Sequence, residues 1–166
     1  MKFIVLSVAN KAPEWIDAGF NEYARRLPAA SRIEFRQIKP ATRSGGGQKS
    51  VQQWVEQEAE RIRSALPPRS HLVVLDERGK HCTTVQLARH IEQWRNDGGD
   101  VAFVIGGADG TAPELRAEAK LLLALSALTL PHGLCRVVLA EQLYRAVSFL
   151  AGHPYHRAGA APAGKS

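Results

Sequence analysis

The sequence predicts an α/β protein: a parallel sheet with helices on both faces. Three observations carry this. Short, uniformly apolar runs recur along the chain, stripes of apolar residues at helical spacing alternate with them, and Gly, Pro or polar clusters separate the two. The 166 residues make about one domain. A chain of that size buries roughly 69% of its unfolded surface, enough for a core without disulfide or metal staples.

Residues 2–8, led by Phe3-Ile4-Val5-Leu6, are the first strand. Pro13 suits the first turn of a helix, and Ile16, Phe20, Tyr23 and Leu27 follow at spacings of 4, 3 and 4 as one stripe. Ile33, Phe35 and Ile38 form a second strand, and residues 39–49, with Gly45-Gly46-Gly47, a flexible basic loop. From about Ser50 a helix turns Val51, Trp54, Val55, Ala59 and Ile62 inward until Pro67-Pro68 stops it. Residues 71–75 are a third strand, closed by the polar turn Asp76-Glu77-Arg78-Gly79-Lys80.

Thr83 or Thr84 caps a helix carrying Leu87, Ala88, Ile91 and Trp94, ended by Gly98-Gly99. Val101–Ile105 is the fourth strand and runs into Gly106-Gly107-Ala108-Asp109-Gly110. A short helix begins near Pro113, residues 126–130 read as a strand stopped by Pro131, and a last helix spans about 134–150. The tail 158–166, rich in Ala, Gly and Pro, is expected to be disordered, leaving 1–157 as a single domain.

Composition excludes several classes. The 45% hydrophobic and 23% charged fractions rule out wholesale disorder. Cys82 and Cys135 stand alone, with no C-x-x-C, so neither a zinc site nor a disulfide framework is signalled. Both read as small buried hydrophobes. Ser7 and Asn10 interrupt the N-terminal apolar run too soon for a signal peptide or membrane span. A cytoplasmic protein without a membrane partner is expected.

The net charge of +6 favours a polyanionic partner. It is concentrated: Arg25, Arg26, Arg32, Arg36, Lys39, Arg43 and Lys49 face one acid, Glu34, so this stretch carries the whole +6. A solvated loop and helix end is the plain alternative.

Gly159-Ala160-Ala161-Pro162-Ala163-Gly164-Lys165-Ser166 spells the phosphate-loop pattern G-x-x-x-x-G-K-[ST]. That chemistry needs a strand before the loop and a helix after it, and here a helix and a polar segment precede the match. The nucleotide-loop reading is set aside. The glycines after Val101–Ile105 are more telling, because ligands of open α/β sheets bind at the carboxyl ends of strands, where glycine lets them approach the backbone. Rossmann spacing is absent, and a plain tight turn is the competing explanation. Leu75, Ile105 and Leu130 each precede a polar, glycine or proline break. If adjacent, these strand ends build one pocket of carbonyls and amides suited to an adenine ring.

Near the C-terminus, Glu141 and Arg145 are an i,i+4 pair, by default a surface salt bridge. His153 and His156 lack a carboxylate or cysteine at metal-ligand spacing, so no metal is expected. The run Tyr155-His156-Arg157 offers stacking, proton transfer and phosphate contact.

Taken together, these segments resemble one family. The features are Glu22-Tyr23 before Arg25-Arg26, Val104-Ile105-Gly106-Gly107 followed by Gly110, and Leu125-Ser126-Ala127-Leu128-Thr129-Leu130-Pro131-His132. Arg136-Val137-Val138-Leu139-Ala140-Glu141-Gln142-Leu143-Tyr144-Arg145-Ala146 and Tyr155-His156-Arg157 complete the match. Residues 1–157 are similar, in order, to the ribosomal RNA large-subunit methyltransferase H family of the SPOUT class.

The resemblance implies an α/β fold with a C-terminal trefoil knot, a homodimer, and S-adenosylmethionine as methyl donor without a metal. It implies methylation of N3 of a pseudouridine in helix 69 of 23S rRNA on the assembled ribosome, with no DNA partner. Leu75, Gly106, Gly107, Ser126, Ala127, Leu128, Thr129, Leu130 and Pro131 would line the donor pocket. The sequence varies from the family at Ala108-Asp109 and at Gly133-Leu134-Cys135, which leaves that pocket intact. On this resemblance His156 is the base for the N3 proton, Tyr155 orients the uracil and Arg157 binds a phosphate; alternatively, the tail only closes the pocket. Arg25, Arg26 and Arg43 would dock the RNA, one subunit's patch serving the other's pocket. The alternatives are a knotted methyltransferase acting on tRNA and a non-catalytic ribosome-binding factor. The intact glycines and the intact 126–132 segment count against the latter.

Overall fold

A computed structural model describes residues 1–43 and 50–157. Gly45, Gly46, Gly47, Lys49 and the expected disordered tail lie outside them. The elements run β1 (Phe3–Val8), α1 (Glu14–Ala24), β2 (Ile33–Ile38), α2 (Val51–Ala65), β3 (His71–His81), α3 (Thr84–Asp97), β4 (Val101–Ile105), α4 (Pro113–Glu118), β5 (Leu121–Ala124) and α5 (His132–Leu150). The strands form one sheet in the order β2-β1-β4-β3-β5, and every pairing is parallel.

Side chains alternate across a strand, so each strand feeds two cores. Phe3, Val5, Val73 and Phe103 face α1, α3 and α5, where Phe20, Leu87, Ile91, Leu139 and Leu143 cover them. Ile4, Leu6, Val74 and Val104 face α2 and α4, against Val55, Ile62 and Leu115. Helices therefore cover both faces, which is why β1 and β4 are buried at every position and, apart from Ser7, apolar throughout. Phe103, fully buried with its ring 6.3 Å from Trp94, contributes about 1.5–3 kcal/mol by burial. Among the described residues, no helix is long and apolar enough to cross a membrane.

Sequence signals set the helix starts. Ser50 accepts from the Gln53 amide and Thr83 from the Gln86 amide, each closed into a capping box. Three expectations are corrected. Residues 126–130 are a loop, and the fifth strand is Leu121–Ala124. Its three leucines lack β-branching and prolong the apolar run after α4, whereas 126–130 only mimics a strand. The supposed turn at 76–80 belongs to β3, which bulges where Leu123 pairs with both Leu75 and Lys80. Val51, assigned inward, is the first residue of α2 and is exposed.

Candidate active site at the ends of three strands

β4, β3 and β5 are neighbours in the sheet. Their carboxyl ends open into a cavity of about 390 Å³. Leu75, Ile105, Leu123, Leu125, Leu128 and Leu130 give it apolar walls, and Gly106, Gly107 and Gly110 close one side. Asp76, Glu77, Arg78, Thr111, Ser126 and Thr129 supply polar groups, while His132 and Cys135 bring in the start of α5. Of the residues assigned to this pocket from sequence, Leu75, Gly106, Gly107, Ser126, Leu128, Thr129 and Leu130 line it.

Ala127 and Pro131 do not line it. The Leu128 amide donates to Ser126 Oγ at 2.9 Å, which folds this part of the loop tightly and leaves Ala127 exposed. Pro131 is exposed as the N-cap of α5. Cys135, read as a buried hydrophobe, is half-buried at the cavity, and burial pushes its thiol pKa up.

Of the two explanations the sequence leaves open for the glycines, the packing supports the tight turn. A Cβ on Gly106 would lie 2.5 Å from Thr111 Oγ1, and one on Gly107 would lie 2.8 Å from Glu58 Oε2 and 3.1 Å from Val8 Cγ1. Both positions point into protein. The turn must close on itself, with the Gly110 amide donating to the Gly107 carbonyl at 3.0 Å. Glycine here is required by the turn's own packing.

At the mouth, Asp76 accepts from the Arg78 amide at 2.8 Å, from Arg78 Nε at 3.1 Å and from Arg116 at 3.2 Å. Its side chain is only 9% exposed. The hydrogen bonds from Arg78, opposed by burial, hold its carboxyl below the usual aspartate range. A carboxylate held by two guanidiniums therefore sits beside an apolar cleft.

Acids share the charge of the described part of the basic stretch. Glu22 takes Arg25 and Arg26, and Glu34 takes Lys2, Arg32 and Arg36. Arg43 pairs with Asp109 of the glycine turn and lies over the Trp54 ring at 5.5 Å. Arg25 and Arg26 follow α1 on one face of the sheet, and Arg43 sits beside α2 on the other. Of these three arginines, Arg43 alone reaches the cavity's edge, through Asp109 of the glycine turn.

The C-terminal run is held against α5. The Tyr155 hydroxyl donates to Glu141 at 3.2 Å, its ring lies 4.6 Å from Tyr144, and the Arg145 guanidinium covers it at 4.7 Å. Burial, with the Glu141 carboxylate second, pushes the tyrosine pKa up. His156 packs edge-on to Phe149 at 5.3 Å, and both its ring nitrogens are buried without a hydrogen-bond partner among the described residues. Arg157 is exposed. None of the three lines the cavity of its own chain. Glu141 is more than the surface salt bridge expected, since it also receives the tyrosine.

Sequence reasoning passed over Asp76, Arg116, Thr111 and Glu58. Asp76 had a signal, a charge at the end of an apolar strand. Glu58 had one too, because it falls on the stripe of Val55, Ala59 and Ile62.

Residues 1–156 match the family described as predicted SPOUT methyltransferases. The chain is 58% identical to the ribosomal RNA large subunit methyltransferase H of Nitrosospira multiformis, over 95% of this chain and 100% of that protein. It is 56% identical to the protein of the same name from Burkholderia multivorans, with the same coverage, and 54% identical to that of Laribacter hongkongensis, over 95% and 99%.

Proposed function

The chain belongs to the SPOUT methyltransferases, in the ribosomal RNA large subunit methyltransferase H family, and from that premise we propose that it methylates N3 of a pseudouridine in helix 69 of 23S rRNA on the assembled ribosome, with S-adenosylmethionine as donor. The observation that carries this reading is the cavity at the ends of β3, β4 and β5. Its volume of about 390 Å³ lies within the range of small-molecule sites. Leucine walls suit an adenine ring, and the glycine turn and the 126–131 loop offer main-chain edges. The donor, when bound, supplies a methyl group made electrophilic by its positive sulfur.

For the transfer, the N3–C bond would form as the methyl–sulfur bond of the donor breaks, its electron pair staying on sulfur, which leaves as a neutral thioether, and the N3 proton must pass to a base. We assign proton acceptance to His156, orientation of the uracil to Tyr155 and a phosphate contact to Arg157. Because these residues do not line their own cavity, they serve the cavity of a second copy, and the working unit is a homodimer. For His156 the tail must re-seat, since its ring nitrogens are buried in the single chain. Exposed Trp15 on α1 and Phe149 on α5 supply apolar surface for such a pairing. Arg25 and Arg26 of one copy then join Arg43 of the other in docking RNA. The reading includes the trefoil knot, which rests on family membership alone. It also places the protein in the cytoplasm, where ribosomes are.

Incubation with methyl-labelled donor and, separately, 70S ribosomes, isolated large subunits and tRNA tests this. Label on 23S rRNA in 70S ribosomes is expected. Label on tRNA alone would move the substrate to tRNA. Ribosome binding without label would favour a non-catalytic factor.

A further inference from the structure

Glu58 lies on the inward stripe of α2 and is 2% exposed. Its Oε1 accepts from the Ala41 amide at 2.9 Å. Its Oε2 is buried, with no hydrogen-bond partner among the described residues, and rests against Gly107, where a Cβ would lie 2.8 Å away. A carboxyl group is costly to bury and normally finds partners for both oxygens, so packing alone does not account for it among Val55, Ala59 and Ile62. What it touches does. Ala41 belongs to the segment that leads to Arg43, and Gly107 belongs to the turn that closes the cavity. The same two segments meet a second time through the Arg43–Asp109 ion pair.

We propose that Glu58 is a positioning residue: its carboxyl, anchored on the Ala41 amide, sets where Gly107 sits, so that the glycine turn and the Arg43 segment hold one geometry together. The inference rests on reading the cavity as the donor site, but half of its test needs no donor.

Amide exchange of the unliganded full chain is the first readout. Glu58→Asp shortens the arm by one methylene, and is expected to speed exchange across 39–43 and 105–111 by about tenfold or more. Peptides over 3–8 and 71–75 keep their protection. Glu58→Gln, which retains length and the acceptor for Ala41, stays within about threefold of wild type. Calorimetry with S-adenosylmethionine is the second readout. Glu58→Asp and Gly107→Ala are each expected to weaken binding about tenfold. The double variant binds more tightly than Gly107→Ala alone, because the retracted carboxyl leaves room for the added methyl.

Unchanged exchange in Glu58→Asp, exchange raised equally in the sheet peptides, or strictly additive losses of affinity would overturn the positioning role. A wild-type chain that does not bind the donor would sink the donor reading and leave the exchange readout to decide this one. Should Glu58→Asp not fold, Gly107→Ala decides it: faster exchange in 39–43 upholds the link, and unchanged exchange there breaks it.

Discussion

The Tyr155 hydroxyl donates to Glu141 Oε1 at 3.2 Å, and this bond pins the C-terminal Tyr-His-Arg run against α5 instead of over the cavity. Glu141 also accepts from Arg145 Nε at 2.8 Å, so the carboxylate stays partnered when the tyrosine leaves. Tyr155→Phe is expected to lower unfolding stability by about 0.5–1.5 kcal/mol while donor affinity stays unchanged. Because burial and Glu141 raise the tyrosine pKa, the stability difference is full below the ordinary tyrosine range. It disappears as pH rises through the raised value. Urea melts of the two proteins across that pH range check both points.

A composite site makes a prediction about mixtures. Ser126→Trp fills the cavity, and Tyr155→Ala with Arg157→Ala disables the tail. Each protein alone should be inactive. Random pairing of equal amounts yields mixed dimers in half the population, each with one intact site, so activity returns to about a quarter of wild type. Mixed dimers seen by native mass spectrometry without any recovered activity would rule out sharing of the tail.

Dimerisation itself is expected to depend on the exposed aromatic on α5. Phe149→Asp puts a charge on apolar surface and should shift the sedimenting species from dimer to monomer at micromolar concentration. The far-ultraviolet circular dichroism spectrum should not change.

Asp76 gives a prediction in the acid range. Its pKa is lowered in the folded state, chiefly by the hydrogen bond from Arg78. Its contribution is therefore full above the ordinary carboxylate range and is lost as pH falls through the lowered value. The stability gap between wild type and Asp76→Asn should be constant near neutrality and close on acidification. Acid titration of thermal unfolding measures it. Donor binding should weaken in the variant, because Arg78 and Arg116 lose their counter-charge beside the cavity.

Neutralising Arg25, Arg26 and Arg43 together should reduce the salt dependence of ribosome binding by roughly two units of slope, as three single-strand phosphate contacts are lost. Arg43→Gln alone should weaken binding uniformly across RNA sequences. A filter-binding series in potassium chloride reads both, and an unchanged slope would remove these residues from the RNA surface.

Much of this was legible in the sequence because parallel sheets write themselves as apolar runs. Phe3-Ile4-Val5-Leu6 and Val101–Ile105 are buried on both faces and admit no other reading. The cavity was legible for a related reason: the carboxyl ends of neighbouring parallel strands are where such sheets leave space, and Leu75 and Ile105 mark two of them. β5 was not, since leucine carries no strand preference and Leu121–Ala124 continues an apolar stretch. Long-range pairing was not legible either. Arg43 and Asp109 stand 66 positions apart, and nothing local says that one neutralises the other. Read as composition, the stretch 25–49 is a basic patch; folded, Glu22 and Asp109 from outside it share its charge.

The most direct test is the identity of the product nucleoside. Ribosomes lacking the modification are incubated with the protein and S-adenosylmethionine, and their 23S rRNA is digested and analysed by tandem mass spectrometry. The account predicts one added methyl group on N3 of a pseudouridine within the helix 69 fragment, absent when Ser126→Trp replaces wild type. A methyl group on another base, on another RNA, or on no RNA while the donor is bound would contradict it.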